Sequence, residues 1–131
     1  MHFVPMGFAC LVPRPSEGSS VCSAKEAGMY RQRTRQQVLY GQFREYMAVA
    51  EEVIAVRRKL GLAEPTLLAP AFGTANEVIW EVDYPDLATF ERENEAFYSD
   101  SEAMEQWRRL WQHAVQGSTH DELLTVAPRI A

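Results

Sequence analysis

A chain of 131 residues, 47% hydrophobic and 24% charged, can hold one domain with its own core and is too short for two ordinary ones. Its formal net charge of −5 lacks the basic footprint of a general nucleic-acid binder. No stretch approaches the roughly 20 apolar residues of a membrane-spanning helix, so neither nucleic acid nor membrane is an expected partner, and the cytoplasm is the expected location.

Residues 1–28 differ from the rest. They carry Pro5, Pro13, Pro15 and the run Glu17-Gly18-Ser19-Ser20, with no sustained apolar period. No Lys or Arg precedes Arg14 and Pro5 interrupts the short apolar run, which does not fit a secretory leader. The expectation is a disordered tail, or sequence translated from a start codon upstream of the natural Met29, followed by a domain over 29–131. Cys10 and Cys22 both fall in this tail. They could form one disulfide in an oxidising compartment, but without the accompanying spacing of a zinc site they read as idle thiols.

From Met29 a pattern emerges. Over Met29–Val38 the arginines recur at Arg31, Arg33 and Arg35, a period of two that sets them on one face of a strand. Tyr30, Gln32, Thr34 and Gln36 take the other face. Gly41–Leu60 reads as a helix: Phe43, Tyr46, Met47, Ala50, Val53, Ile54 and Leu60 form one apolar stripe. Arg57, Arg58 and Lys59 crowd its last turn, where cations favour the carbonyl end of the dipole, and Gly61 is a left-handed terminator. Thr66–Phe72 follows as a strand. Pro70 lies inside it and places it at a sheet edge. Gly73–Asn76 is a turn, and Glu77–Tyr84 is the clearest strand, with Val78, Trp80, Val82 and Tyr84 on one face and Glu77, Ile79, Glu81 and Asp83 on the other. The short connection makes the pair an antiparallel hairpin.

Asp86 suits the cap of a second helix, whose Leu87, Phe90, Asn94 and Phe97 share a face, with Asn94 a polar intrusion. Ser99–Glu102 has the Ser-x-x-Glu form of a capping box, opening a third helix over Glu102–Gln116 with Met104, Trp107, Trp111 and Ala114 inward and Gly117 as its stop. Leu123–Ala127 is the last strand. This order is βαββαβ with an extra helix, an α+β, ferredoxin-like chain. Right-handed crossovers give a four-stranded antiparallel sheet in the order 4-1-3-2 with all helices on one face. The bare face then sets the arginines beside Glu77, Glu81 and Asp83 with Ile79 among them, a charged but structured surface suited to a partner sheet.

The run Phe72-Gly73-Thr74-Ala75-Asn76-Glu77-Val78-Ile79-Trp80-Glu81-Val82, then Tyr84-Pro85-Asp86-Leu87-Ala88-Thr89-Phe90-Glu91, resembles the hairpin-to-helix segment of NIPSNAP-like proteins. These belong to the dimeric α/β-barrel superfamily that also holds the antibiotic-biosynthesis monooxygenases. Asp121–Val126 is similar to the last strand of the same group, and the likeness covers roughly 29–127. The resemblance implies a homodimer with sheets face to face and a small pocket between each sheet and its helices. Some relatives oxidise aromatic compounds without a cofactor, and others degrade haem with an Asn on the first strand and a Trp and a His on the helices. Here no Asn lies between Met29 and Val38, and Asn76 and Asn94 are the only two in the chain. Haem degradation is therefore not carried over, and no cofactor is expected.

Trp80, Phe90, Phe97, Trp107 and Trp111 are the candidate ligand-binding residues. The plain reading of aromatics at such spacings is core, and core with a residual cavity is the reading that combines the two. His113 falls on the helix face away from the apolar stripe and is expected in solvent. His120-Asp121-Glu122 could hold a metal, but neighbours on a strand point to opposite faces, and no metal is expected. Glu91, Glu93 and Glu95 read as a solvated face, and Arg108 and Arg109 as dipole partners or anchors for a substrate carboxylate. No phosphate loop or nucleophile motif is present, so no catalytic residue is assigned. The sequence points to a small-molecule-binding barrel, with cofactor-independent oxygenation of an apolar aromatic substrate as the accompanying activity; the alternative is a non-catalytic barrel for structure or partner binding.

Overall fold

A computed structural model describes residues 29–126. The tail with Cys10 and Cys22, and the end of the last expected strand at Ala127, lie outside the described residues. The elements run β1 (Tyr30–Gln37), α1 (Phe43–Lys59), β2 (Thr66–Leu68), β3 (Glu77–Tyr84), α2 (Leu87–Tyr98), α3 (Ser101–Trp111) and β4 (His120–Thr125). The sheet has four strands in the order β2-β3-β1-β4, all neighbours antiparallel, which is the ferredoxin-like topology expected. Asp86 caps α2 as expected, its carboxylate accepting from the Thr89 amide at 2.7 Å.

Several boundaries differ, each for a local reason. β2 stops at Leu68, so Pro70 follows the strand instead of lying in it. α3 is capped by Asp100, which accepts from the Ala103 amide at 2.9 Å, while Ser99 closes α2 through its hydroxyl on the Glu95 carbonyl. With α3 starting at Ser101, Asp100 stands at the N-cap and Ser99 falls one residue too early to serve the Ser-x-x-Glu box. α3 ends at Trp111, because Ala114 is drawn into a bridge with Val38 and the Val115 amide donates to the Gln37 carbonyl. β4 begins at His120, pairing with Arg35, so it starts three residues before the expected Leu123.

The period-two pattern of β1 and β3 sorts the sheet into two chemically distinct faces. Val78, Trp80, Val82 and Tyr84 point under the helices and are buried. Val78 and Trp80 pack with Val49, Ala50, Val53 and Ile54 of α1, Phe97 of α2 and Leu110 of α3; Phe43, assigned to the same stripe, is 48% exposed at the helix start. A polar relay threads this apolar core. The Trp80 indole N–H donates to the Tyr46 hydroxyl at 2.8 Å, which donates to Gln36 Oε1 at 2.5 Å, and Gln36 Nε2 donates to the Thr119 hydroxyl at 3.1 Å. Burial pushes the Tyr46 hydroxyl up to about 12, with the Trp80 bond opposing, so it stays protonated.

Tyr46→Phe leaves the buried indole N–H and Gln36 carbonyl without their partner, and we expect a loss of about 1–3 kcal/mol in a urea titration. Because the folded hydroxyl titrates above the unfolded value of 10.0, its contribution is complete below that pH and is lost as pH rises towards about 12. The difference between wild-type and Tyr46→Phe stabilities should therefore shrink over that window; a difference that stays constant would show that Tyr46 is not held protonated by the fold.

Candidate functional site

The two faces of α2 and α3 turned towards the sheet are aromatic, and the sheet face beneath them is polar at its β1–β4 side. Where these surfaces meet, a cavity of about 260 Å³ remains. Its walls are Trp80 and Val82 of β3, Val53 of α1, Phe97 and Tyr98 of α2, and Trp107 and Trp111 of α3. Its floor is Gln32 and Thr34 of β1 with Thr119 and Asp121 from the β4 strand and its approach; Arg57, Asn94 and Pro65 complete the lining. Trp111 is 45% and Tyr98 48% exposed, which puts the mouth on their side.

Trp107 is the hub of the wall. Its ring meets Trp80 at 5.8 Å and Phe97 at 5.8 Å, both nearly perpendicular, and Trp111 at 6.4 Å. Edge-to-face packing of this kind is favourable for ring quadrupoles and fixes ring planes. Four of the five aromatics singled out in the sequence thus line one cavity. Phe90 does not; it packs on Tyr84 with centroids 5.3 Å apart, closer to the start of α2.

The floor is a small hydrogen-bonded set. The Asp121 carboxylate accepts from the Thr34 hydroxyl at 2.8 Å and from Gln32 Nε2 at 3.4 Å, while the Tyr84 hydroxyl donates to Gln32 Oε1 at 3.2 Å. Burial raises the Tyr84 and Tyr98 hydroxyls above their ordinary range, the Asp121 charge adding to the effect and Arg57 opposing it. Both stay neutral donors. Arg57 enters from the last turn of α1, 9% exposed, with Nε donating to the Ala63 carbonyl at 3.0 Å and Nη2 at 3.8 Å from Glu93. Its guanidinium carbon lies 5.4 Å from the centre of the Phe97 ring.

The sequence pattern did not single out this polar floor. Gln32 and Thr34 were legible as the non-arginine face of the first strand, and Asn94 as a polar break in an apolar stripe. Asp121 was hidden by the late strand start, since beginning at His120 turns Asp121 inward and Glu122 outward. Arg57 looked like one of three solvated cations, and Glu93 like one of three solvated acids; both are folded in. His113 lies beyond α3, half-buried, with Nδ1 hydrogen-bonded to Gln42 Oε1 at 2.7 Å, so the early helix end carries it back onto the α1 start and partly out of solvent. Arg108 pairs with Glu105 at 2.7 Å and Arg109 lies 3.6 Å from Glu52, away from the cavity.

No family model and no curated relative matches the chain. Solved structures do. A NIPSNAP family protein from Agrobacterium tumefaciens superposes with a TM-score of 0.63 at 19% identity, covering 74% of this chain and 91% of that one. A NIPSNAP-like domain protein from Burkholderia xenovorans gives 0.64 at 20% identity, covering 79% and 92%. SnoaB, a cofactor-independent oxygenase from Streptomyces nogalater, gives 0.59 at 16% identity, covering 79% and 98%. The chain has the fold shared by NIPSNAP proteins and antibiotic-biosynthesis monooxygenase-like domains, and the resemblance in the hairpin-to-helix segment extends to the whole described sheet-and-helix layer.

Trp80 holds the wall from the strand side through its ring and its indole bond, so Trp80→Ala should cost about 3–5 kcal/mol through the void it leaves. Denaturant titration measures this directly. A loss below about 1 kcal/mol would place the ring outside the packed wall.

Proposed function

We propose that this chain binds a planar, largely apolar aromatic molecule in the cavity between sheet and helices, and that the bound molecule is oxidised there by dioxygen without a cofactor. The observation that carries the reading is the meeting of an aromatic wall with a polar floor around about 260 Å³ of empty space. That volume lies just under the roughly 300–1,000 Å³ of ordinary small-molecule sites, which favours a ligand of two or three fused rings. The rings of Trp107 and Phe97 offer faces and edges for stacking. SnoaB, with the same fold, is a cofactor-independent oxygenase, and that supports the choice of chemistry.

In such a reaction the substrate supplies the electrons. A ring methylene loses two hydrogens and gains one oxygen atom as a carbonyl, and the other oxygen atom leaves as water. The chain must take a proton from the substrate to start it, and Asp121 is the carboxylate at the floor. Thr34 and Gln32 use only part of its capacity of about four acceptor sites, so an incoming C–H or O–H can meet a free lone pair.

All three tryptophans of the chain line the cavity. A bound aromatic ligand should therefore quench most of the intrinsic fluorescence, and 9-anthrone is a suitable probe. We expect saturable quenching that Trp107→Ala weakens by about tenfold, in the range of a lost aromatic contact. Dioxygen uptake with anthraquinone formation should exceed the spontaneous rate and fall in Asp121→Asn. Unsaturable quenching removes the binding reading; binding without turnover removes only the oxygenase step.

We further infer that the bare sheet face joins two copies. Arg31 pairs with Asp83 at 2.8 Å, Arg33 with Glu81 at 2.9 Å and Glu122 at 3.8 Å, and Arg35 with Glu77 at 3.7 Å. Ile79, Leu68 and Leu124 lie among them by register. Internal neutralisation lets such a face be covered without stranding a charge, and the apolar residues give the contact. Arg33→Ala should weaken association at least about tenfold by leaving Glu81 unpaired in the interface, and adding Glu81→Ala should recover part of the loss. Sedimentation at several concentrations reads this; a wild-type chain that stays monomeric throughout would remove the sheet-to-sheet dimer.

A further inference from the structure

α2 is thinly seated for a helix that supplies Asn94, Phe97 and Tyr98 to the cavity lining. Phe97 is its one buried residue, against seven in α1. Among the described residues, its charged side chains reach the rest of the fold only through Glu93. Asp86 caps α2 and Asp100 caps α3, so each helix is closed on its own and movement between them falls on the short junctions Pro85-Asp86 and Ser99-Asp100. At the middle of α2, Glu93 Oε1 accepts from the Ala63 amide at 2.9 Å, and the Ala63 carbonyl accepts from Arg57 Nε at 3.0 Å. The third bond of this set is not made. Arg57 Nη2, buried and without a hydrogen-bond partner among the described residues, stops 3.8 Å from the same Glu93 oxygen. A buried charged donor left unsatisfied is costly, and a shift of roughly 1 Å would bring the pair to the usual charge-assisted length of about 2.8 Å.

We infer that α2 is a lid over the cavity, and that Arg57 and Glu93 are the latch that closes when a ligand fills the space beneath it. This rests on the small-molecule reading of the same cavity. In the empty state, an inward shift of α2 presses Phe97 and Tyr98 towards Gln32 and Asp121 and strips solvent from those polar groups, which opposes closure. A ligand already in place removes that cost. The same shift then sets Nη2 on Glu93, and the bond formed holds the helix down. Arg57 and Glu93 do not touch the ligand: they are positioning residues, acting through the helix that carries Asn94 and Phe97.

Hydrogen exchange of the full chain, read by mass spectrometry with and without saturating 9-anthrone, tests the lid. In the free protein, Leu87–Tyr98 should exchange at least about tenfold faster than Phe43–Lys59, as for a unit that opens on its own. Binding of 9-anthrone should slow α2 by about tenfold more than it slows α1, the scale of one hydrogen bond to a charged group. Glu93→Gln keeps an acceptor for the Ala63 amide and removes the charge of the latch. That variant should lose the extra slowing and release 9-anthrone about tenfold faster in stopped-flow fluorescence. Full extra slowing in Glu93→Gln overturns the latch. Exchange of α1 and α2 together in the free wild-type chain overturns the lid, whether or not the variant folds. If 9-anthrone does not bind, the aromatic reading falls, and the comparison of α1 with α2 in the free protein alone decides for or against the lid.

Discussion

The relay from Trp80 through Tyr46 and Gln36 to Thr119 sets the geometry on which the rest of the molecule depends. It joins β3, α1, β1 and the approach to β4 through side chains alone. Apolar packing is nearly non-directional and would tolerate some rotation of α1 about its axis or a slide along the sheet. Buried donors and acceptors do not, since each misplacement leaves a group unsatisfied. Once Tyr46 is fixed, the indole of Trp80 has one orientation, and Trp107 stands on that ring edge-to-face. The cavity wall is thus positioned by hydrogen bonds in the core and not by the cavity itself.

The outer face follows from a separate constraint. Arginines at alternate positions of β1 meet the outward residues of β3 in register, Arg31 opposite Asp83, Arg33 opposite Glu81 and Arg35 opposite Ile79, with Arg35 reaching Glu77 at 3.7 Å. In a lone chain these pairs are partly exposed and contribute little. Their value lies in registry: a slip of one residue would send the arginines into the core and Trp80 into solvent, so the alternation protects the inner face as much as it decorates the outer.

That alternation is why the sheet order, the face assignment and the charged ladder were legible in the sequence. Strand period and crossover handedness are strong local and topological rules, and the strand order they give is the one found. The aromatic wall was legible because Trp80, Phe97, Trp107 and Trp111 sit on helix or strand faces that the same periods define. What was not legible depended on where elements stop. Ending α3 at Trp111 turned His113 from a solvated side chain into a partner of Gln42, and starting β4 at His120 turned Asp121 inward. Arg57 shows a further limit. Its place in the last turn of α1 is typical of a solvated cation, and only the return of the chain through Ala63 and the approach of Glu93 from α2 bury it. Contacts between residues so far apart leave no periodic trace.

The polar floor also explains why the space above it stays open. Gln32, Thr34, Tyr84 and Asp121 satisfy one another across β1, β3 and β4, so the floor needs no helix above it to be complete. An apolar side chain placed over it would strip water from Asp121 and the Gln32 amide and give back only dispersion contacts, an unfavourable exchange for groups of this polarity. The helices therefore close on the apolar half of the inner face, over Val78 and Trp80, and stand away from the β4 half, where Leu123 is also left partly exposed. A cavity bounded by an apolar wall that must exclude water and a polar floor that must keep it is stable as an empty site. The lining thus divides into an aromatic side and a polar side, with Trp80, Phe97, Trp107 and Trp111 on one and Gln32, Thr34, Thr119 and Asp121 on the other.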